Sequence, residues 1–596
     1  MKIVQLHIEN FRGIKKGTLI FEGHTLLVGP NNIGKSTICE ALDLVLGPDR
    51  LSRYPPVNEY DFYNANYFNL ETEDTNPLIV EAVLTDLSDE LIRDSNANLE
   101  FWHSKEKRVL DEGEIKQVDS NHCAYCLRIK TIGEYDPEDD EFKANTYYSH
   151  SPNANEDELT RVTKTTKRLI GFLYLRTLRT GSRALSLERG SLLDIILKLL
   201  GIRTGLWEKV RNELKNIEPS IDDITSEISP VLDAIENRIS QYIPLSGESK
   251  TTSLHISKLT RDHLRQTISF FLSTSDNQEP IPFQYTGTGT LNTLVLTLLS
   301  FIAEVKADNV IFAMEEPEIA LPPHTQRRIA NYLLSETTQC FVTSHSPYII
   351  ESFSPKQIRI LNKTNNATLS AQPVKLGNLL KEKTYRKQIR RGIAEAILGN
   401  GVIVVEGITE VYSFNKVSEI LEENNNDYFP FDLSGVTIFS SDGDGKLAEY
   451  GQFFSSLGLK SFAFFDRKNR SEKEIKELEK SYDISCEIPY KGMESLLVNE
   501  ISVDYQWKFL HDLNNQNQLG NLKISDSRPE DEEKIKNWTK DALKSGKGDG
   551  WSAILLDYCS NEDLPVTISI FLDKIYELFP RPKIEKMDEL SSNETS

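Results

Sequence analysis

One octapeptide narrows the fold before anything else is counted. Gly29-Pro30-Asn31-Asn32-Ile33-Gly34-Lys35-Ser36 follows an apolar run, Thr25-Leu26-Leu27-Val28, and opens a helix-forming stretch from Thr37 to Leu46. It matches G-x-x-x-x-G-K-[ST] in the strand, loop and helix setting that this motif requires. The glycines let backbone N–H groups point inward around phosphate oxygens. Lys35 reaches the β- and γ-phosphates and the Ser36 hydroxyl ligates Mg²⁺. Asn31, Asn32, Gly34 and Thr37 complete the expected cradle. Such a loop commits the residues around it to an α/β fold.

A nucleotide loop needs a carboxylate at the end of a strand. The apolar run Val310–Met314 supplies it, delivering Glu315 to the Mg²⁺ shell and leaving Glu316 to orient and activate the attacking water. Cys340–Thr343 is another apolar strand, and His345 lies just past its end. There the imidazole either contacts the γ-phosphate or caps the strand.

A second acidic cluster follows. Val402–Val405 reads as a buried strand, Glu406-Gly407 as a tight turn, and Ile408-Thr409-Glu410 as the start of a helix. Phe462–Phe465 is a strand that delivers Asp466. Adjacent parallel strands would bring Glu406, Glu410 and Asp466 together as a divalent-metal site. The plainer alternative is a surface Glu pair and an unrelated strand-end Asp. Asp442 and Asp444, on a Gly-rich turn between the two acidic strands, either add a ligand or form a solvated turn.

Composition sets the limits on partners. The 596 residues are 39% hydrophobic and 27% charged, an ordinary globular balance, long enough for three to four units at about 150 residues each. Lysines and arginines number 68 against 90 acids, a net charge of −22, so nucleic-acid contact must come from a local patch or bound metal. Six cysteines are too few for a disulfide framework. Cys123 and Cys126 form a C-x-x-C without the second pair of a zinc site, which points to a reducing cytoplasm. Apolar runs fall short of the ~20 residues of a membrane span, and the alternating N-terminus reads as a first strand rather than a signal peptide.

Along the chain, 78–86 and 123–131 read as strands and the acidic run Glu134–Glu141 as a solvated loop. From Ser191 to Tyr242 the pattern is helical, with Leu192, Ile195, Ile196 and Leu199 on one face. Tyr285–Asn292, with Gly287 and Gly289, is a Gly-rich turn opening a helix. A basic stretch, Lys381–Arg391, precedes the second α/β unit, and a polar segment, Asn514–Lys534, leads to C-terminal helices.

Ile8-Glu9-Asn10-Phe11-Arg12, the P-loop, Glu315-Glu316-Pro317-Glu318 and Ser344-His345-Ser346 together resemble the ABC-type ATPase heads of the RecF/SMC group. That resemblance implies ATP sandwiched between two heads, with the turn around Gly289 as the signature lent in trans. The turn departs from Leu-Ser-Gly-Gly-Gln. The Q-loop glutamine is missing, with Asp61 near its place, and sustained coiled-coil heptads are absent. Glu406-Gly407-Ile408-Thr409-Glu410 with Asp466 resembles a Toprim domain. An ABC head followed by a Toprim domain is similar to the OLD (overcoming lysogenization defect) nucleases, a family that includes the nuclease subunit of the Gabija anti-phage system.

This second resemblance implies an ATPase in two parts, 1–165 and 256–378. A helical dimerisation insertion, 166–255, interrupts it, and a Toprim nuclease domain with a C-terminal helical region occupies 379–596. It adds Glu494, in Tyr490–Leu497, as a metal ligand, and Lys547, in Lys544–Trp551, as the catalytic lysine. The second Asp of the Toprim pattern is here Lys468, which cannot ligate Mg²⁺ but can hold the scissile phosphate. The expected activity is ATP-controlled, Mg²⁺- or Mn²⁺-dependent DNA cleavage by a cytoplasmic homodimer or larger assembly, in phage defence alongside a second component. Arg176, Arg179, Arg183 and Lys381–Arg391 are either DNA-backbone contacts or solvated faces. The alternative is a DNA-sensing ATPase clamp whose Toprim domain only binds. A primase or topoisomerase fits poorly, because such enzymes lack an ABC head.

Overall fold

The structure is a computed structural model. It describes the chain except residues 53, 112–113, 115–119, 151–158, 176–190, 218–228, 240–264, 266–269, 274–278, 288–289, 291–293, 296, 299–300, 303–309, 320, 375–389, 469, 521 and 582–596. Two compact units result. One comprises Met1–Leu27, Gly34–Ser344 and Lys363–Ser370; the other comprises Val28–Ile33, His345–Asn362 and Ala371–Ser596.

In the first unit, a parallel run places the strands Phe172–Leu175, Ile311–Glu315, Gln339–Thr343 and Thr25–Val28 side by side. Residues 311–314 and 339–343 are buried without alternation, as parallel strands covered on both faces must be. The helix Lys35–Leu46 leaves the P-loop and buries Ile38, Leu42 and Val45. An antiparallel run in the order Ile14–Ile20, Lys2–Phe11, Leu78–Thr85, Cys123–Asp136, Leu99–His103 and Arg108–Leu110 continues the sheet in this unit, with Glu141–Tyr148 also paired to Cys123–Asp136. The buried Gln339 side chain ties the two runs, accepting from Ile3 N–H at 2.7 Å and donating to the carbonyls of Ile3 and Gly23 at 3.0 Å.

One expectation changes in part here. The acidic run is only partly a loop: Cys123–Asp136 and Glu141–Tyr148 form a hairpin with Asp136 opposite Glu141, and residues 137–140 are its exposed turn. Polar residues continue the strand because Lys143 pairs with Asp136 and Asp139, while Tyr67, Tyr135 and Phe142 pack their rings together. In the insertion, the described helices are Leu192–Leu199, Arg203–Ile217 and Ser229–Ile239. Leu192 and Ile196, on the apolar face that the sequence pattern gives, are buried within the chain, and Ile195 is half-buried.

The second unit carries a four-stranded, all-parallel sheet in the order Val436–Ser440, Gly401–Val405, Lys460–Phe465 and Ile484–Glu487. The helices Ile408–Asn424, Met493–Glu500, Trp551–Leu556 and Val566–Leu578 contribute to its core, where Phe414, Phe464 and Phe571 meet ring to ring. Among the described residues no helix is long and apolar enough to cross a membrane.

Candidate functional site

The phosphate loop takes the backbone shape its glycines allow. Gly29, Asn32 and Gly34 have φ of 157°, 63° and 118°, and Gly34 caps the helix Lys35–Leu46. Asn31, Asn32 and Ser36 are exposed, Thr37 is half-buried, and Lys35 is buried. Burial holds the Lys35 ammonium below its ordinary range, while Glu316 and Glu318 pull it back up. These two acids therefore bear directly on the P-loop lysine. Glu315, at the end of its strand, accepts a hydrogen bond from the Tyr174 hydroxyl on the neighbouring strand.

Glu316 has φ of 43°, a left-handed conformation that is costly for a residue with a Cβ, and its N–H donates to Thr343 O at 2.9 Å. The strand Gln339–Thr343 lies between the P-loop strand and the acidic strand, and the exposed His345 follows its end. Arg12 joins Glu40 of the P-loop helix to the buried Asp61, 2.9 Å away, and Arg50 approaches Asp61 at 3.7 Å. Asp61, near the place of the missing glutamine, is thus committed to arginines. Beside it, Arg12, Asn58, Tyr60 and Phe62 line a cavity of about 600 Å³. Gly289, Arg176, Arg179 and Arg183 lie outside the described residues, as do Lys381 to Gln388 and Ile389 of the basic stretch.

The acids of the second cluster come together. Val405 and Phe464 are register partners on adjacent parallel strands, so Glu406 and Asp466 emerge from the same sheet end. Glu406 Oε1 accepts the Asp466 N–H at 3.0 Å. Glu410 and Glu494 sit in the first turns of Ile408–Asn424 and Met493–Glu500, where helix dipoles favour anions. Burial, then the charges of Asp466, Glu494 and Glu406, raise Glu410 to about 7. Burial and Glu406 raise Asp466 to about 6.

Three cations face these acids. Lys468 Nζ lies 2.9 Å from Glu406 Oε2, and Lys547 Nζ lies 2.6 Å from Glu494 Oε1. Arg470, which the sequence motifs do not single out, lies 3.5 Å from Glu406 Oε1 and 3.2 Å from Glu487, and donates to Asp466 O at 2.7 Å. Asp442 lies on an exposed turn whose Gly443 N–H donates to Glu406 O at 2.8 Å.

Among the described residues no three His, Cys, Asp or Glu side chains stand as a ready-made metal centre. The donor chemistry nevertheless fits a hard divalent ion, since four carboxylates stand at one end of a parallel sheet. Gly492 clears the space they need. Its φ is 96°, and a Cβ there would meet Glu494 Oε2 at 3.1 Å and Asp466 Oδ2 at 3.7 Å.

A family model described as an AAA ATPase domain matches residues 1–350. Another, described as an overcoming lysogenization defect protein-like TOPRIM domain, matches residues 397–467. Endonuclease GajA of Bacillus cereus (strain VD045) is 20% identical over 517 residues, 85% of this chain and 81% of that protein. The Old nuclease of Escherichia phage P2 is 20% identical over 488 residues, 77% of this chain and 76% of that protein. A solved SmcHead bound to the C-winged helix domain of ScpA covers 64% of this chain and 100% of that one at 14% identity. Its TM-score of 0.34 is too low to bear on the fold. An ATPase domain joined to a Toprim domain implies the use of a nucleotide and a divalent metal.

Proposed function

The chain belongs to the AAA ATPase domain family and carries an OLD-like Toprim domain, and on that footing we propose that it is an ATP-controlled, metal-dependent DNA endonuclease. The observation that carries the reading is the cluster of Glu406, Glu410, Asp466 and Glu494 faced by Lys468, Arg470 and Lys547. A divalent ion held there, Mg²⁺ or Mn²⁺, would supply Lewis-acid polarisation of the scissile phosphate and a water of lowered pKa. Glu410, Asp466 and Glu494, beside Glu406, are the carboxylates that would hold it. Lys547 and Lys468 present positive charge to the phosphodiester. Bound cations also explain how a chain of net charge −22 approaches DNA.

In the ATPase part, Asn31, Asn32, Gly34, Lys35, Ser36 and Thr37 take the phosphates and Mg²⁺ of ATP. Glu315 completes the metal shell, Glu316 activates water, and His345 meets the γ-phosphate. The working form is a homodimer or larger, with Gly289 lent between heads, and the biological setting is phage defence with a second component. The segments 1–165 and 256–378 are assigned to the ATPase, 166–255 to dimerisation, and 379–596 to the nuclease.

The test is plasmid cleavage with Mg²⁺ or Mn²⁺, with and without ATP, comparing wild type with Glu406→Ala and Asp466→Ala. Wild-type cleavage that either substitution abolishes, with ATPase retained, is the expected result. Undiminished cleavage in Asp466→Ala sinks the assignment. The ion pair of Lys468 with Glu406 favours a second reading, a DNA-sensing clamp that does not cut. A wild type that binds DNA and cleaves none under any divalent ion selects that reading.

A further inference from the structure

Hydrolysis of a phosphodiester by paired metals asks for two divalent ions at about 3.5–4 Å from each other, clamping the attacking and leaving oxygens. The side chains of this site are arranged unequally for that task. Both oxygens of Glu406 are engaged by the chain itself: Oε2 by Lys468 at 2.9 Å, and Oε1 by the Asp466 N–H at 3.0 Å and Arg470 at 3.5 Å. Arg470 is fixed in turn. It donates to Asp466 O, pairs with Glu487 and lies over the Phe465 ring at 4.8 Å, with a side chain only 10% exposed. A second ion on Glu406 would have to break these contacts.

The other three acids differ. Lys547 pairs with Glu494 at 2.6 Å, and Arg470 reaches Asp466 only through its backbone carbonyl, at 2.7 Å. Gly492 keeps the space beside Glu494 and Asp466 clear, and Gly407 does the same beside Glu410, where a Cβ would lie 3.2 Å from Oε2. Positive charge is thus densest at the Glu406 pole, and the clear space lies among Glu410, Asp466 and Glu494. Lys468 is also the more open of the two cations at the Glu406 pole, its side chain 42% exposed against 10% for Arg470, so a phosphate can reach it.

We propose that this site takes a single divalent cation, held by Glu410, Asp466 and Glu494, and that the Lys468 ammonium, backed by Arg470, stands in for the second. The inference rests on the nuclease reading for its purpose, but the metal count is independent of cleavage. An ammonium carries half the charge of a divalent ion and ligates nothing. It offers up to three N–H donors to a phosphate oxygen and stays in place whatever the metal concentration.

The test counts Mn²⁺ bound per full-length chain without nucleotide, by loss of the free-ion paramagnetic resonance signal. The expected counts are one for wild type, none for Glu410→Ala and two for Lys468→Asp, which restores a carboxylate ligand. Lys468→Gln keeps a count of one while cleavage falls by about a hundredfold, the cost of removing one charge-stabilising donor. Two ions in the wild type, or one in a folded Lys468→Asp, overturns the inference. Counts of one and two with no cleavage by wild type support the metal count and end the nuclease reading instead.

Discussion

Glu316 holds a left-handed backbone conformation immediately beyond a buried strand, and its charge bears on Lys35. Such strain is kept where the surroundings fix it, here through Thr343 O. Glu316→Gln keeps the shape and loses the base, so nucleotide affinity should persist while turnover falls about a hundredfold or more. Lys35→Ala should weaken binding itself. Equilibrium binding and phosphate release distinguish the two, and a wild-type rate in Glu316→Gln sinks the assignment. At the metal cluster, Gly492→Ala sets a Cβ against Glu494 and Asp466 at a φ of 96°, a change costing about 1 kcal/mol or more. Mn²⁺ affinity should drop in a chain whose ATPase is unchanged; equal affinity in both proteins would refute the cradle. Glu406, Glu410 and Asp466 were legible in the sequence because each sits at a strand end or helix start that local pattern reveals, whereas Glu494 came only from the family resemblance. Arg470 and Tyr174 were not, because their carboxylate partners Glu406 and Glu315 lie 64 and 141 residues away along the chain.

Elements declare themselves in sequence when burial is uniform. The strands Ile311–Glu315, Gln339–Thr343 and Gly401–Val405 are almost wholly buried, so their apolar runs are unmistakable. The hairpin Cys123–Asp136 and Glu141–Tyr148 hides its end among acids, since there ion pairs and packed rings replace the apolar alternation. The P-loop helix carries a tension that no periodicity shows. Near its C-terminal end the Leu44 carbonyl faces Lys167 Nζ at 3.5 Å, and burial lowers that lysine to about 7. A lysine depressed from its ordinary 10.5 makes the fold less stable as pH falls from about 10.5 to about 7, because the unfolded chain binds the proton more readily. Lys167→Met keeps the apolar stem and removes the charge, so near pH 7 it should stabilise the protein by a few kcal/mol, since each tenfold loss of proton affinity on folding costs roughly 1.4 kcal/mol. That advantage should shrink toward pH 10. Thermal unfolding at both pH values checks it, and a gap that widens with pH would refute it.

At the scale of the whole molecule the open question is what completes the ATPase. If the proposed trans contact completes the nucleotide site, one chain alone is incompetent, and turnover should require two chains. On the helix Leu192–Leu199, Leu192 and Ile196 are buried within the chain and Ile195 is half-buried. Val231 and Ile235 are different. They lie one turn apart on Ser229–Ile239 in the same insertion, and both are exposed, at 57% and 44%. An apolar pair on the open side of a helix gains most from a partner that covers it. The full-length wild type should therefore scatter light as a dimer or larger at micromolar concentration. Val231→Asp with Ile235→Asp should shift it toward monomer and lower ATPase in proportion, with the fold kept. ATPase that rises with protein concentration in the double variant would tie the loss to assembly rather than to the site. A wild-type monomer with full ATPase would remove both the dimer and the trans contact.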